Sequence, residues 1–290
     1  MIKIRYFLRN NKLLLFIFTI STSLFIFQNA TYLYWDFASY SLNAKYLFYG
    51  GTYFETLRPP LASILLGSFM LLGFLANYLY ILFVSLLFLI SIIKLSDTVF
   101  YKEFFNNSIK KEDLRFILYF FSMSYFVLLF GLREGTEMLS LSFFILFLSF
   151  LIQGKTSGHF LALAFLSRYS FLIYFPLLFI NRKIKIISKN IFLFLIIILP
   201  WLLFNYLRFR NWFTSIIDAY ANNILFRKDL MLPFNYHDLF FIIGIFLPFL
   251  VLGILYSLKE MIKSKNKLNR ENLTLFLFLL ILVISIIDYS

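Results

Sequence analysis

HFLALAFLSRYSFLIYFPLLFI, residues 159–180, is an almost unbroken apolar run with one arginine, Arg168, near its middle. As a single membrane span it would leave that arginine in hydrocarbon, at a cost of about 2.5–3.5 kcal/mol on insertion scales. As two short helices meeting at Arg168, it would turn the guanidinium toward protein or a water-filled cavity. The flanks bear on this. QGKTSGH (153–159) precedes the run and NRKIKIISKN (181–190) succeeds it, both basic, and basic segments between apolar runs mark the cytoplasmic side. With both flanks on one side, residues 158–180 enter and return as a short helical hairpin. A single span with Arg168 snorkelling to the interface is the alternative.

The same logic extends outward. Apolar segments lie at about 13–31, 59–76, 77–95, 114–132, 137–153, 158–180, 190–206, 239–258 and 272–288. Four basic clusters separate them: Lys3, Arg5, Arg9 and Lys12; Lys94, Lys102, Lys110, Lys111 and Arg115; Arg182, Lys183, Lys185 and Lys189; and Lys259, Lys263, Lys265, Lys267 and Arg270. Placing all four inside requires one of 59–76 and 77–95 not to cross. The stretch 59–76 opens with Pro59-Pro60 and contains Gly67 and Gly73, so it is assigned as an interfacial or half-inserted helix. The expectation is an all-α, polytopic transmembrane bundle in one domain. It has about seven full spans, the interfacial helix 59–76 and the hairpin 158–180, with a cytoplasmic N-terminus in the plasma membrane.

Composition agrees. Of 290 residues, 61% are hydrophobic and 14% charged, more apolar surface than a water-soluble domain of this size can hide. The runs are continuous rather than alternating, which argues against a β-barrel. The net charge of +13 resides in the loop clusters, so it is read as topology and not as nucleic-acid binding. The absence of cysteine excludes disulfides, Cys-zinc sites and thiol catalysis. His159 and His237 are expected on opposite sides, which gives no His-based metal site, and no phosphate-binding glycine loop is present.

Three polar segments then face outward: 32–58, 131–137 and 205–238. In the first, Asp36 comes directly after Trp35, and residues 37–49 read as a surface helix with Tyr40, Ala44 and Leu47 on one side. A carboxylate at the lip of a membrane cavity can accept a proton from a hydroxyl. It can equally cap the surface helix. The turn GLREGTE (131–137) carries Arg133, Glu134 and Glu137, candidates for a site or simply for solvation. The third loop places Arg208, Arg210, Arg227 and Lys228 outside, against the positive-inside trend, beside Trp201 and Trp212. Arginine forks match phosphate oxygens and aromatic rings suit a lipid or sugar, with headgroup anchoring as the plainer use.

Taken in order, the acidic residue after the first helix, YSLNAKYLFYGG (40–51) and RPPL (58–61) resemble the polyprenyl-phosphate-dependent glycosyltransferases of the GT-C fold, in particular the protein O-mannosyltransferase and lipid A aminoarabinose-transferase group. GTEMLSLSFFILFLSFLIQGK (135–155), residues 159–180 and PWLLFNYLRFRNWF (200–213) are similar to later segments of that family. The resemblance covers about residues 10–220. It implies inverting transfer of a sugar from a polyprenyl-phosphate carrier to a protein or lipid acceptor on the outer face. By position, Asp36 would be the general base, or a ligand to a divalent cation in metal-dependent relatives, and Glu137 the second acidic residue. Arg168, Arg208, Arg210 and Arg58 would hold the donor phosphate. Two departures stand out. Phe37 stands after Asp36 where many relatives have a second acid, which weakens the cation assignment. The chain also ends at ISIIDYS (284–290), where relatives continue with further helices, so a minimal or shortened member is expected. A transporter or lipid flippase, or a catalytically decayed membrane protein, is the alternative function.

Overall fold

The structure, a computed structural model, describes residues 2–101, 110–123, 125–133, 135–180 and 183–222. The expected spans 239–258 and 272–288, the fourth basic cluster, Glu134 and the outer loop beyond Asn222 lie outside the described residues. Every regular element among the described residues is helical: α1 (Ile2–Asn10), α2 (Lys12–Thr31), α3 (Trp35–Tyr49), α4 (Pro60–Phe69), α5 (Ala76–Tyr101), α6 (Lys111–Ser122), α7 (Tyr125–Phe130), α8 (Glu137–Ile152), α9 (Gly158–Ser167), α10 (Ile184–Phe209) and α11 (Thr214–Ala221). Two 3-10 segments, Met70–Leu75 and Tyr169–Ile180, complete the set.

Among the described residues, three helical stretches are long and apolar enough to cross a membrane: Lys12–Thr31, Pro60–Phe100 and Ile184–Phe209. The exposed faces of α2 (Leu13, Phe16, Ile20, Leu24, Phe27) and α10 (Phe192, Leu195, Ile196, Leu199, Leu203) are apolar stripes at helical spacing. Stripes of this length are unsuited to water and are the pattern a lipid-facing helix requires. Glu137–Ile152, Gly158–Ser167 and Tyr169–Phe179 are apolar but shorter.

The second stretch is not one rod. Gly73 (φ 62°, ψ −129°) breaks it between α4 and α5. The backbone there is left-handed, a conformation that costs a glycine little and an L-residue more. On the N-terminal side of the break, α4 has ten residues, about 15 Å of helix and roughly half of a hydrocarbon core. On the C-terminal side, α5 runs for 26 residues. The run expected at 114–132 is likewise divided into α6 and α7, with Met123 leaving helical geometry (φ −81°, ψ 50°). Ser122 Oγ donates to the Tyr119 carbonyl at 2.8 Å just before this point, a side chain competing for the backbone acceptors of the last turn.

Residues 158–180 run as α9, a break at Arg168 in extended backbone (φ −157°, ψ 117°), and a 3-10 segment containing Pro176. Ring contacts set their directions. Phe165 near the end of α9 and Phe175 in the returning segment both meet Phe194 of α10, at centroid distances of 6.0 and 5.0 Å. The start of α9 is fixed to α10 as well, because Asn190 Oδ1 accepts from the Ser157 and Gly158 backbone N–H groups at 2.8 and 3.3 Å. The two arms therefore lie side by side against α10, with Arg168 at the bend.

Packing runs in chain order across the bundle. α5 contacts α2, α6 and α8, while α8 contacts α9 and α9 contacts α10. One apolar cluster joins α2–α6 to α8 around Tyr80, Phe88 and Leu139, and a second joins α8–α10 around Phe147, Phe165 and Leu177. The polar groups of the site lie where the two clusters meet, at the end of the bundle formed by α3, residues 50–59, the turn at Gly135 and Thr136, and α11.

Candidate functional site

The site is organised from α3. Tyr34, in extended backbone, caps the start of that helix without a side-chain hydrogen bond. Asp36 lies in the first turn but does not cap it. Its Oδ1 accepts from the Arg58 guanidinium at 2.6 Å. The capping role weighed for Asp36 is thus replaced by an ion pair to a distant loop. The next residue, Phe37, and Tyr40 one turn on are buried, as are Asn43 and Ala44, whereas Leu47 is only partly covered.

Asn43 explains how Arg58 reaches Asp36. Its side-chain amide donates to the Glu55 carbonyl at 3.0 Å, and its Oδ1 accepts from the Glu55 N–H at 2.8 Å. This two-point clamp fixes the loop three residues before Arg58. Arg58 then lies over the Tyr40 ring, 5.6 Å from its centroid. Its Nε is 3.3 Å from Glu55 Oε2 yet forms no hydrogen bond, so the contact is ion pairing at a poor angle rather than a directed bond. Burial works against the charge on Arg58, but Tyr40, once ionised, and the Asp36 and Glu55 carboxylates outweigh it and raise its pKa above the ordinary value. Burial also pushes the Tyr40 phenol up to about 12, with Arg58 opposing. Tyr40 is therefore a neutral hydroxyl and Arg58 a fixed cation.

The opposite wall comes from the turn at Gly135 and Thr136 and from the hairpin bend. Gly135 adopts φ 102°, and a Cβ there would stand 3.3 Å from the Phe37 ring and 3.5 Å from the Tyr40 ring. Tyr80 donates its hydroxyl to the Gly135 carbonyl. The turn is thereby pressed onto α3, and it delivers Glu137 at the start of α8. One Glu137 oxygen accepts from Arg168 and the other from the Thr136 N–H at 3.2 Å. Arg168 reaches Glu137 because α9 ends one residue earlier.

α11 forms the remaining wall. Asp218 accepts from Thr56 Oγ1 at 2.6 Å, and the Tyr220 hydroxyl donates to the Tyr169 carbonyl at 3.2 Å. These bonds hold Ala219, Tyr220 and Asn222 over an open cavity of about 170 Å3 that Asp36, Tyr40, Arg58, Thr136, Glu137 and Arg168 also line. A second cavity of about 250 Å3 shares Glu137, Arg168 and Ser170 with the first and is otherwise walled by Val127, Gly131, Met138, Ser140, Leu141, Phe171 and Tyr174, mostly apolar groups. The Arg168–Glu137 pair sits on the boundary between a charged chamber and an apolar one.

Four of the six residues singled out in the sequence, Asp36, Arg58, Glu137 and Arg168, thus line one cavity. Arg208 and Arg210 are not among its lining residues. Arg208 lies over Tyr46, 5.8 Å from the ring centroid, and Arg210 ends α10 in left-handed backbone (φ 59°). Arg133 faces Tyr34 and Tyr32, with ring centroids at 4.7 and 5.8 Å. Sequence reasoning missed Asn43, Thr56 and Asp218, which position the walls, and assigned Tyr40 only to a helix face. Nothing in their spacing points to partners as remote as the 162 residues between Thr56 and Asp218.

A divalent cation does not fit this donor set. Both cavity carboxylates are engaged by guanidinium groups, and among the described residues no group of three or more His, Asp or Glu side chains could hold a metal ion. Comparison of the chain with protein-family models, with curated proteins and with solved structures finds no match.

Proposed function

We propose that this chain is a membrane-embedded glycosyltransferase that moves a sugar from a polyprenyl-phosphate carrier to an acceptor. The observation that carries the reading is the junction at Arg168: a charged chamber containing two guanidinium groups opens beside an apolar chamber. A lipid phosphate bearing a sugar has the matching polarity, with an anionic head beside a hydrocarbon tail. Aliphatic and aromatic walls suit isoprene units, and cations at the boundary suit the phosphate. The ordered motifs resembling the GT-C glycosyltransferases support the same assignment. With it come about seven spans, a cytoplasmic N-terminus and a plasma-membrane site facing outward.

In this reading Asp36 accepts the proton of the acceptor hydroxyl as the hydroxyl oxygen bonds to the anomeric carbon. The bond from that carbon to the phosphate oxygen breaks, and its electron pair stays on the lipid phosphate. Arg58 and Arg168 offset the negative charge that grows there, and such charge stabilisation is worth most in a water-poor site. Glu137 holds Arg168 at the boundary. The neutral Tyr40 hydroxyl can donate a hydrogen bond but cannot compete as a base.

Native mass spectrometry of the detergent-purified protein with added farnesyl phosphate tests the reading. Saturable retention of farnesyl phosphate, weakened in Arg168→Ala and unchanged in Arg208→Ala, is the expected outcome. Retention of bulk phospholipid only would sink it. Binding of a glycosylated carrier that is moved across vesicles without loss of its sugar would identify a transporter instead.

A further inference from the structure

Glu137 holds Arg168 by the tip of its side chain, so the backbone beneath it needs a support of its own. The Arg168 N–H closes the last turn of α9 on the Ala164 carbonyl at 2.9 Å, and the chain then leaves in extended backbone. The next residue, Tyr169, fixes the returning arm. It is buried in the second apolar cluster, its ring 5.3 Å from that of Phe165. Its hydroxyl accepts from the Trp201 indole N–H at 2.9 Å, and its carbonyl accepts from the Tyr220 hydroxyl at 3.2 Å.

The Tyr169–Trp201 bond belongs to a longer chain of buried polar groups. Asn205 donates from Nδ2 to the Trp201 carbonyl at 3.1 Å, and its Oδ1 accepts from the Ser215 hydroxyl at 2.5 Å. Tyr169, Trp201, Asn205 and Ser215 are all buried. Such a set gains little stability over apolar side chains of the same shape. What it adds is direction, because a buried donor that loses its acceptor is costly and so tolerates few placements of its partner. The set links the hairpin bend to α10 and to the start of α11. One end of it adjoins Arg168, and the other lies in the helix that carries Ala219 and Tyr220 at the charged chamber.

Building on the transferase reading, we infer that Tyr169 is the positioning residue for Arg168: its hydroxyl, tied to Trp201, fixes the bend so that the guanidinium meets the carrier phosphate where the two chambers join. A guanidinium whose backbone is already placed loses less freedom when it binds an anion. With the anchor gone, the bend is free to shift along α10, and the guanidinium then follows Glu137 alone. Tyr169 acts through Arg168 and needs no bond to the phosphate itself. The Tyr220 bond to the Tyr169 carbonyl sets the spacing between Arg168 and the α11 wall from the same anchor.

A double-mutant cycle tests this, with farnesyl phosphate as the probe and native mass spectrometry in detergent as the readout. Tyr169→Phe keeps the ring and removes the hydroxyl, and Trp201→Phe removes the N–H from the other side. Each is titrated alone and combined with Arg168→Ala, with the melting temperature as the check on folding. Tyr169→Phe and Trp201→Phe should each weaken farnesyl phosphate binding by about tenfold. Neither should weaken it by more than about twofold once residue 168 is alanine, which is the mark of action through Arg168. A merely structural role would lower the melting temperature and leave binding unchanged, or weaken it equally in both backgrounds. Either result overturns the inference and leaves the transferase reading standing, because the natural protein still binds. Where Tyr169→Phe fails to fold, the Trp201→Phe arm of the cycle decides. If the natural protein does not bind farnesyl phosphate saturably, both readings fall.

Discussion

At the scale of single residues, the cavity depends on two ion pairs with different tasks. Arg168 is 29% exposed and Glu137 16%, so their pair is screened on one side and shielded on the other. Removing Arg168 leaves a partly buried carboxylate without that guanidinium. Arg168→Ala should weaken farnesyl phosphate binding by about 10- to 100-fold, the scale of a charge-assisted hydrogen bond. Arg208→Ala, whose guanidinium lies over Tyr46 rather than in the cavity, should change it by less than about threefold. Titration with farnesyl phosphate, read by native mass spectrometry, measures both. Tyr40 gives a pH signature. Its phenol is raised from 10.0 to about 12 by burial, so the folded state holds this proton more tightly than the unfolded chain does. The associated stability is fully present below pH 10 and is lost as pH rises through about 12. Thermal unfolding in detergent across that window should show Tyr40→Phe losing less stability than the natural protein, by a difference on the order of 2–3 kcal/mol.

At the scale of elements, the site depends on how short connections are pressed onto helices. The Asn43 clamp on Glu55 is the joint between α3 and the loop carrying Arg58. Asn43→Ala removes both bonds, and should lower stability by about 1–3 kcal/mol and farnesyl phosphate affinity by roughly tenfold, because Arg58 loses its fixed origin. The Gly135 turn is the joint between α3 and α8. Gly135→Ala places a methyl group 3.3 Å from the Phe37 ring on a backbone at φ 102°, and should lower the melting temperature by a few degrees, at a cost of about 1–3 kcal/mol. Some of this was legible in the sequence. Arg168 marks the bend in 158–180 because a lone arginine is too costly in hydrocarbon, whereas the break at Gly73 falls inside the stretch 59–76 that was read as one helix. The division of 114–132 at Met123 was not legible, since an apolar composition suits one long helix and two short ones equally well. Asp36 was legible as a candidate site carboxylate, but its engagement by Arg58 instead of the helix N-terminus was not. Local capping and a remote ion pair satisfy the same oxygen, and only three-dimensional proximity selects between them.

At the scale of the whole molecule, the three long apolar stretches predict how the protein partitions. It should stay in the membrane pellet after an alkaline carbonate wash and leave it only with detergent. Release by carbonate would contradict the lipid-facing assignment of the α2 and α10 stripes. Partitioning and lipid-facing stripes both derive from hydrophobic composition, which the sequence carries by itself: helical class, apolar runs of spanning length, and the few charges that those runs cannot leave in lipid. Transfer free energy is a sum over residues and needs no partner. The cavity is another matter. Asp36, Arg58, Glu137 and Arg168 come from α3, a loop, the first turn of α8 and a helix break, and the Thr56–Asp218 bond closes it across 162 residues of chain. Hydrogen bonds and ion pairs act over a few ångströms, so which charge meets which was decided only when α8 and α9 packed between α5 and α10 and brought those four side chains to one end of the bundle.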